Sequence, residues 1–200
     1  MKRVIIYFLL LFLIFASTVN KANSYSADPE KFIGEIIDEA KLILNSKETK
    51  EQKSQKLSEI ALKTVDINGL AYYTLGKKRK ELSKEELEKY KIIFEKYFLK
   101  SFTSRLTDYS DPKISVLSSE IVNEKYTIVK TMLLATSKKP EVKIDWRVYT
   151  KDPNKPLIRD LIVEGLSLAR TQKEEFASIL STNNNDINVL FKTLEDFINN

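Results

Sequence analysis

Apolar residues recur with a helical period over the first part of the chain, with a period of two in the middle, and with a helical period again at the end. Asp28-Pro29 reads as an N-cap followed by proline at the first helical position, and Phe32, Ile33, Ile36, Ile37, Ala40 and Leu44 then mark one helix face. After the polar stretch 45–50 a second helix carries Leu57, Ile60, Ala61 and Val65. Asp66 caps a short third helix with Ile67, Leu70, Ala71 and Tyr73, which Gly76 closes. Ser83 and Glu86 make a capping box, and the helix they open runs to about Tyr109, where Ser110-Asp111-Pro112 ends it. Its second half, KIIFEKYFLKSF (91–102), sets Ile93, Phe94, Tyr97, Phe98 and Phe102 on one broad face, with Ile92 and Leu99 off to the other side. A face that wide needs apolar company, which is either an ordinary core or a cavity built for something greasy.

At residue 113 the period shortens to two, and strands are predicted at 113–118, 124–136, 141–150 and 156–164, joined by short polar loops as in an antiparallel meander. In VKIDWRVYT, Val142, Ile144, Trp146 and Val148 face one way and Lys143, Asp145, Arg147 and Tyr149 the other. Gly165 breaks the last strand. Ser167 or Thr171 caps a helix with Leu168, Phe176, Ile179 and Leu180. Asn183-Asn184-Asn185 forms a turn, and Asp186 caps a final helix with Ile187, Leu190, Phe191, Leu194 and Phe197. No repeat or linker divides the chain. The expected fold class is α+β, a curved antiparallel sheet of about four strands packed with N- and C-terminal helices.

Composition changes this picture mainly at the N-terminus. MKR followed by the apolar run VIIYFLLLFLIFA is too short for a membrane span of about 20 residues. It reads as a secretory signal peptide over residues 1–24, cleaved before Tyr25, with an uncleaved anchor as the alternative. No cysteine follows it, which excludes a lipoprotein anchor. These residues carry Lys2, Arg3 and Lys21 and no acid, so their removal lowers the net charge from +5 to +2 and leaves 25–200 as the domain. A nearly neutral domain is a poor partner for nucleic acid. The absence of Cys and His excludes disulfides, thiolate or imidazole metal sites, and triads that use His. Glu164, Asp160 and Asp145 lie near strands, but no motif joins them, so neither an enzyme nor a cofactor is expected.

Four segments follow one another: NGLAYYTLGK (68–77) with LSKEELEKY after it, SFTSRLTDYS (101–110), VKIDWRVY (142–149), and DLIVEGLSL (160–168) followed by FASIL (176–180). In that order they resemble the MlaC family of periplasmic phospholipid-binding proteins, also called toluene-tolerance proteins. The family's patterns run close to IARYTLGK, YASRLxEYSG, VxVDYRL and DVIVEGVSLV, and the resemblance covers roughly residues 28–199. Lys78-Arg79 stand where the family commonly has Tyr-Trp, and Asp111 where it has Gly. Asn154-Lys155-Pro156 replaces a Gly-Gly-Trp hairpin, and Thr171-Gln172-Lys173 replaces Asn-Tyr-Arg.

The resemblance implies a soluble, monomeric carrier with an NTF2-like curved sheet, extended by helices around an apolar cavity that shelters phospholipid acyl chains. It further implies lipid exchange with an inner-membrane ABC transporter complex and an outer-membrane lipoprotein complex. Shielding two acyl chains, about thirty methylenes, is worth on the order of 20 kcal/mol against water, so the lining must be extensive and apolar. Tyr73, Phe94, Phe98, Phe102, Ile144, Trp146, Val148 and Val163 are the residues expected to supply it, and each of them would equally serve an ordinary core. Arg105 and Arg147 match basic positions of the family and are expected at a lipid phosphate or a partner, or else in an ion pair with Asp145 or Asp108. Lys77-Lys78-Arg79-Lys80 reads as a solvated turn or as a place of attraction to anionic lipid. The competing reading is an envelope interaction module whose interior is solid.

Overall fold

The computed structural model describes residues 25–108, 111–136 and 140–200, so the expected signal peptide and Tyr109 lie outside the described residues. Four helices come first: α1 (Pro29–Leu44), α2 (Lys50–Thr64), α3 (Ile67–Leu75) and, after a 3-10 turn at Lys78–Lys80, α4 (Lys84–Leu106). Strands β1 (Ile114–Asn123), β2 (Tyr126–Leu133), β3 (Val142–Tyr149), β4 (Leu157–Val163) and β5 (Leu166–Ser167) follow, then α5 (Leu168–Thr182) and α6 (Ile187–Asn199). Among the described residues no helix is long and apolar enough to cross a membrane.

Helix starts coincide with side chains that satisfy free backbone N–H groups. Asp28, Asp66 and Asp186 accept from Lys31, Gly69 and Asn188 respectively, and Ser83 with Glu86 closes the anticipated capping box. Of the two possible caps for α5, Ser167 is the one used, its hydroxyl accepting from the Arg170 N–H. A second capping box, Thr49 with Gln52, opens α2.

The sheet is an antiparallel meander in the order β1-β2-β3-β4-β5. Its strands end within three residues of the predicted bounds except in two places. β1 continues past residue 118 to Asn123, because pairing with β2 (Ser119 opposite Val129) carries a Ser-Ser-Glu run that alternation alone reads as a loop. A fifth strand arises because Glu164 and Gly165 both take positive φ (49° and 82°), making a two-residue turn that folds Leu166–Ser167 back on β4.

Two apolar clusters form, and they do not merge. One gathers α3, α4, α5 and α6 around Tyr90, Phe94, Phe176, Leu190 and Phe191. The other packs α1 and α2 on one face of the sheet through Phe32, Ile33, Leu57, Val129, Val148 and Ile158. Val65, between α2 and α3, touches both and pairs with Ile158 on β4, where the Asp66 N–H donates to the Ile158 carbonyl at 2.9 Å.

That junction is pinned by charge. Arg159 Nε donates to Asp66 Oδ2 at 2.6 Å, its Nη1 donates to the Tyr126 hydroxyl at 3.0 Å, and its guanidinium lies 3.6 Å from the centre of the Tyr149 ring. A Cβ on Gly69 would stand 2.3 Å from that Asp66 oxygen. Gly69→Ala gains about 1 kcal/mol of helix propensity. It loses the cap, about 1 kcal/mol, and a charge-assisted hydrogen bond of about 1.5–3 kcal/mol. A net loss of about 1.5–3 kcal/mol is expected, read as a lower urea midpoint at unchanged m-value.

Candidate functional site

Because α4 packs on the other helices while α1 and α2 cover the lower part of the sheet, a space is left where neither cluster fills the interior. It is a cavity of about 460 Å³, within the range of ligand pockets, about 300–1,000 Å³. One wall is the sheet: Leu133 opposite Val142, Ile144 opposite Val163, and Trp146 opposite Leu161. The facing wall is α4 with Phe94, Phe98 and Phe102, and α1 and α2 close the floor with Ile36, Ile37 and Ile60.

The rings on α4 form a continuous row. Phe98 stacks on Phe102 with centroids 5.8 Å apart and planes within 7°, and on Phe94 at 6.3 Å. On the sheet the Trp146 indole N–H donates to the Thr131 hydroxyl at 3.0 Å, and that hydroxyl donates to the Ile144 carbonyl at 2.8 Å. The polar edge of the indole is therefore satisfied inside the sheet, and its apolar body is left to the cavity. Leu133, Val142, Ile144, Trp146, Leu161 and Val163 are all only half-buried although they point inward. All six line the cavity, so part of their remaining surface faces it.

The rim is polar. Arg105, Lys41, Gln172 and Glu175 border the opening. Lys41 Nζ donates to the Ile114 carbonyl at 3.2 Å, and Tyr97, whose hydroxyl donates to Gln172 Oε1 at 2.9 Å, has its phenol pushed up by burial and then by the Glu175 charge. Arg105 makes no ion pair among the described residues.

Residues 34–196 match the model of the MlaC protein family. The chain belongs to the MlaC family. A phospholipid-binding protein from Ralstonia solanacearum, solved in complex with a phospholipid, is similar in fold, with a TM-score of 0.71 at 15% identity over 88% of this chain and 97% of that chain. No curated protein sequence matches this chain significantly.

The segments that carry the MlaC resemblance divide around the cavity. VKIDWRVY supplies Val142, Ile144 and Trp146 to the sheet wall, and DLIVEGLSL adds Leu161 and Val163. SFTSRLTDYS brings Phe102 to the helical wall and Arg105 to the rim. Two residues expected in the lining lie elsewhere. Val148 is fully buried, opposite Thr127 and Ile158 where α1 packs directly on the sheet, so it belongs to the solid part of the core. Tyr73 is 41% exposed on the outer side of α3, under the Lys173 ammonium, because only Leu70 and Thr74 of that helix turn toward the cavity.

Arg147 lies on the other face of β3. Its Nη1 is 3.7 Å from Asp160, not from Asp145 or Asp108, and Asp108 pairs instead with Lys50 at 2.8 Å. Asp160 is a buried structural carboxylate, accepting from the Ser167 hydroxyl at 2.6 Å and the Ala169 N–H at 3.0 Å. The floor residues Ile36, Ile37 and Ile60 escaped the sequence-based choice of site. Their helical spacing was legible, but spacing cannot separate a residue that faces a void from one that faces a neighbour.

Proposed function

We propose that this protein is a periplasmic phospholipid carrier, exported by a cleavable signal peptide, that shuttles lipid between the inner and outer membranes with acyl chains held in the cavity. In this reading it works with an inner-membrane ABC transporter complex and an outer-membrane lipoprotein complex to maintain outer-membrane lipid asymmetry. One observation carries the proposal: large apolar side chains from two separate layers are half-exposed to one shared interior space. An interaction module with a solid centre has no use for such a wall. MlaC membership and the phospholipid held by the Ralstonia protein support the same reading.

The cavity, about 460 Å³, is of the size of ligand pockets, about 300–1,000 Å³. Trp146, Ile144 and Val163 would hold the chains on one side and Phe94, Phe98 and Phe102 on the other, by desolvation and shape. Arg105, which lines the cavity and makes no ion pair among the described residues, would take the lipid phosphate in this reading. Arg105→Gln is expected to keep the acyl chains but to speed lipid loss to acceptor vesicles about fivefold, the equivalent of about 1 kcal/mol for an exposed charged contact.

The test of function is transfer of labelled phospholipid from a donor to an acceptor membrane fraction that cannot touch. Catalytic amounts of the protein are expected to accelerate it in proportion to concentration. A protein that binds lipid but leaves the transfer rate unchanged contradicts the shuttle.

A further inference from the structure

On the side of α5 turned away from the cavity lies a second, open depression of about 590 Å³, walled by the connection between α3 and α4 and by α5 itself. Gln172 and Glu175 of α5 face the cavity, while Lys173, Ala177 and Leu180 face this depression. Its floor is apolar, with Leu75 and Leu180, and its rim carries Lys77, Lys78, Arg79, Lys80 and Lys173 against a single carboxylate, Glu81. Glu81 is already matched, its carboxylate 3.0 Å from Lys78 Nζ. Lys77, Arg79, Lys80 and Lys173 therefore remain without an ion pair among the described residues.

Cations just beyond a helix C-terminus are favoured by the helix dipole, and that accounts for one or two charges after α3. It does not account for Lys173, which arrives from α5 and sits over the Tyr73 ring at 5.1 Å. Nor does it explain Lys78-Arg79 where the family pattern has an aromatic pair, a change that makes the charge a property of this chain. Four unpaired cations around an open concavity repel one another and raise the local potential, which an anionic partner relieves. Three of them are consecutive or nearly so on one short turn, with flexible stems, and the one side-chain hydrogen bond they make among the described residues is from Arg79 Nη1 to the Tyr72 carbonyl at 3.4 Å. Such a site reads charge density more than sequence, as polybasic segments do at anionic lipid.

We propose that this depression docks the protein on an anionic membrane surface, with lipid phosphates between the 77–80 turn and Lys173. The depression shares only Thr74 with the cavity lining and none of its cations, so docking and lipid carriage fail independently. The experiment is flotation of the purified protein with vesicles of phosphatidylcholine alone or mixed with phosphatidylglycerol, at low salt and at 0.5 M salt. Binding to the anionic vesicles alone, lost at high salt, is expected. The triple variant Lys77→Gln, Arg79→Gln, Lys80→Gln is expected to lower the partition about fivefold per residue, on the order of 100-fold in all, with the lipid content of its cavity unchanged. A control of equal charge at exposed positions, Lys47→Gln, Lys63→Gln, Lys151→Gln, is expected to bind like the parent. Equal loss in both triples would assign the attraction to net charge and overturn the site. So would equal binding to neutral vesicles, or binding to poly-glutamate without binding to vesicles. Loss of cavity lipid in the parent protein would strike the carrier reading and leave docking standing.

Discussion

Trp146→Glu is expected to empty the cavity. The indole lies between Val129 and Leu161 on neighbouring strands, and its N–H is held by Thr131, so its ring is fixed as part of the sheet wall. A glutamate there places an ionised carboxylate where acyl methylenes would lie. Burying that charge without a partner costs several kcal/mol, so the cavity takes water in preference to lipid. Phospholipid retained per protein is expected to fall at least about tenfold, the equivalent of 1.4 kcal/mol. Lys151→Glu, in an exposed loop, is expected to retain the parent amount. Ile144→Glu, one pair along the same wall, is expected to repeat the loss, which separates a lining effect from a folding defect at Trp146. Equal lipid in all of these proteins would remove the sheet from the binding surface.

A second large effect concerns stability, and it distinguishes core from cavity on two faces of neighbouring rings. Phe176 is 1% exposed, meets Phe94 edge-on at 6.3 Å and lies 5.8 Å from Tyr97, with protein on every side. Phe176→Ala is expected to cost about 3–5 kcal/mol, the usual loss for a buried ring. Phe98 has ring neighbours along α4 but presents one face to the void. With fewer contacts to lose, Phe98→Ala is expected to cost only about 1–2 kcal/mol in lipid-free protein. Urea denaturation of delipidated variants reads both values. Equal losses would mean that Phe98 is enclosed like Phe176 and that α4 does not border an open space.

Much of this arrangement was written in local chemistry. The caps at Asp28, Asp66, Ser83 and Asp186 begin helices as anticipated, and the alternation of Val142, Ile144, Trp146 and Val148 marks the inner face of β3. Local chemistry is legible because a cap or a strand period involves residues within a few positions of each other. The fifth strand was missed because its signal, positive φ at both Glu164 and Gly165, is divided between a glycine and a residue that rarely adopts it.

The division of apolar residues between core and cavity was not legible at all. Val148 and Trp146 share a strand face, yet the first is sealed in the cluster that α1 and α2 form with the sheet and the second lines the void, which depends on where helices some hundred positions away pack. Ile92 carries the same lesson. It stands in the most apolar stretch of α4 and is 59% exposed, because among the described residues no element packs on that side of the helix. Likewise Lys173 joins the 77–80 turn only once α5 has folded against α3.

The central claim is that the two clusters enclose room for fatty chains. Mass measurement of the intact protein, purified without detergent and kept under native conditions, tests it most directly. A species heavier than the polypeptide by one phospholipid, which releases that lipid on denaturation, is the predicted result; a single species at the polypeptide mass that stays unchanged after incubation with phospholipid vesicles would contradict it.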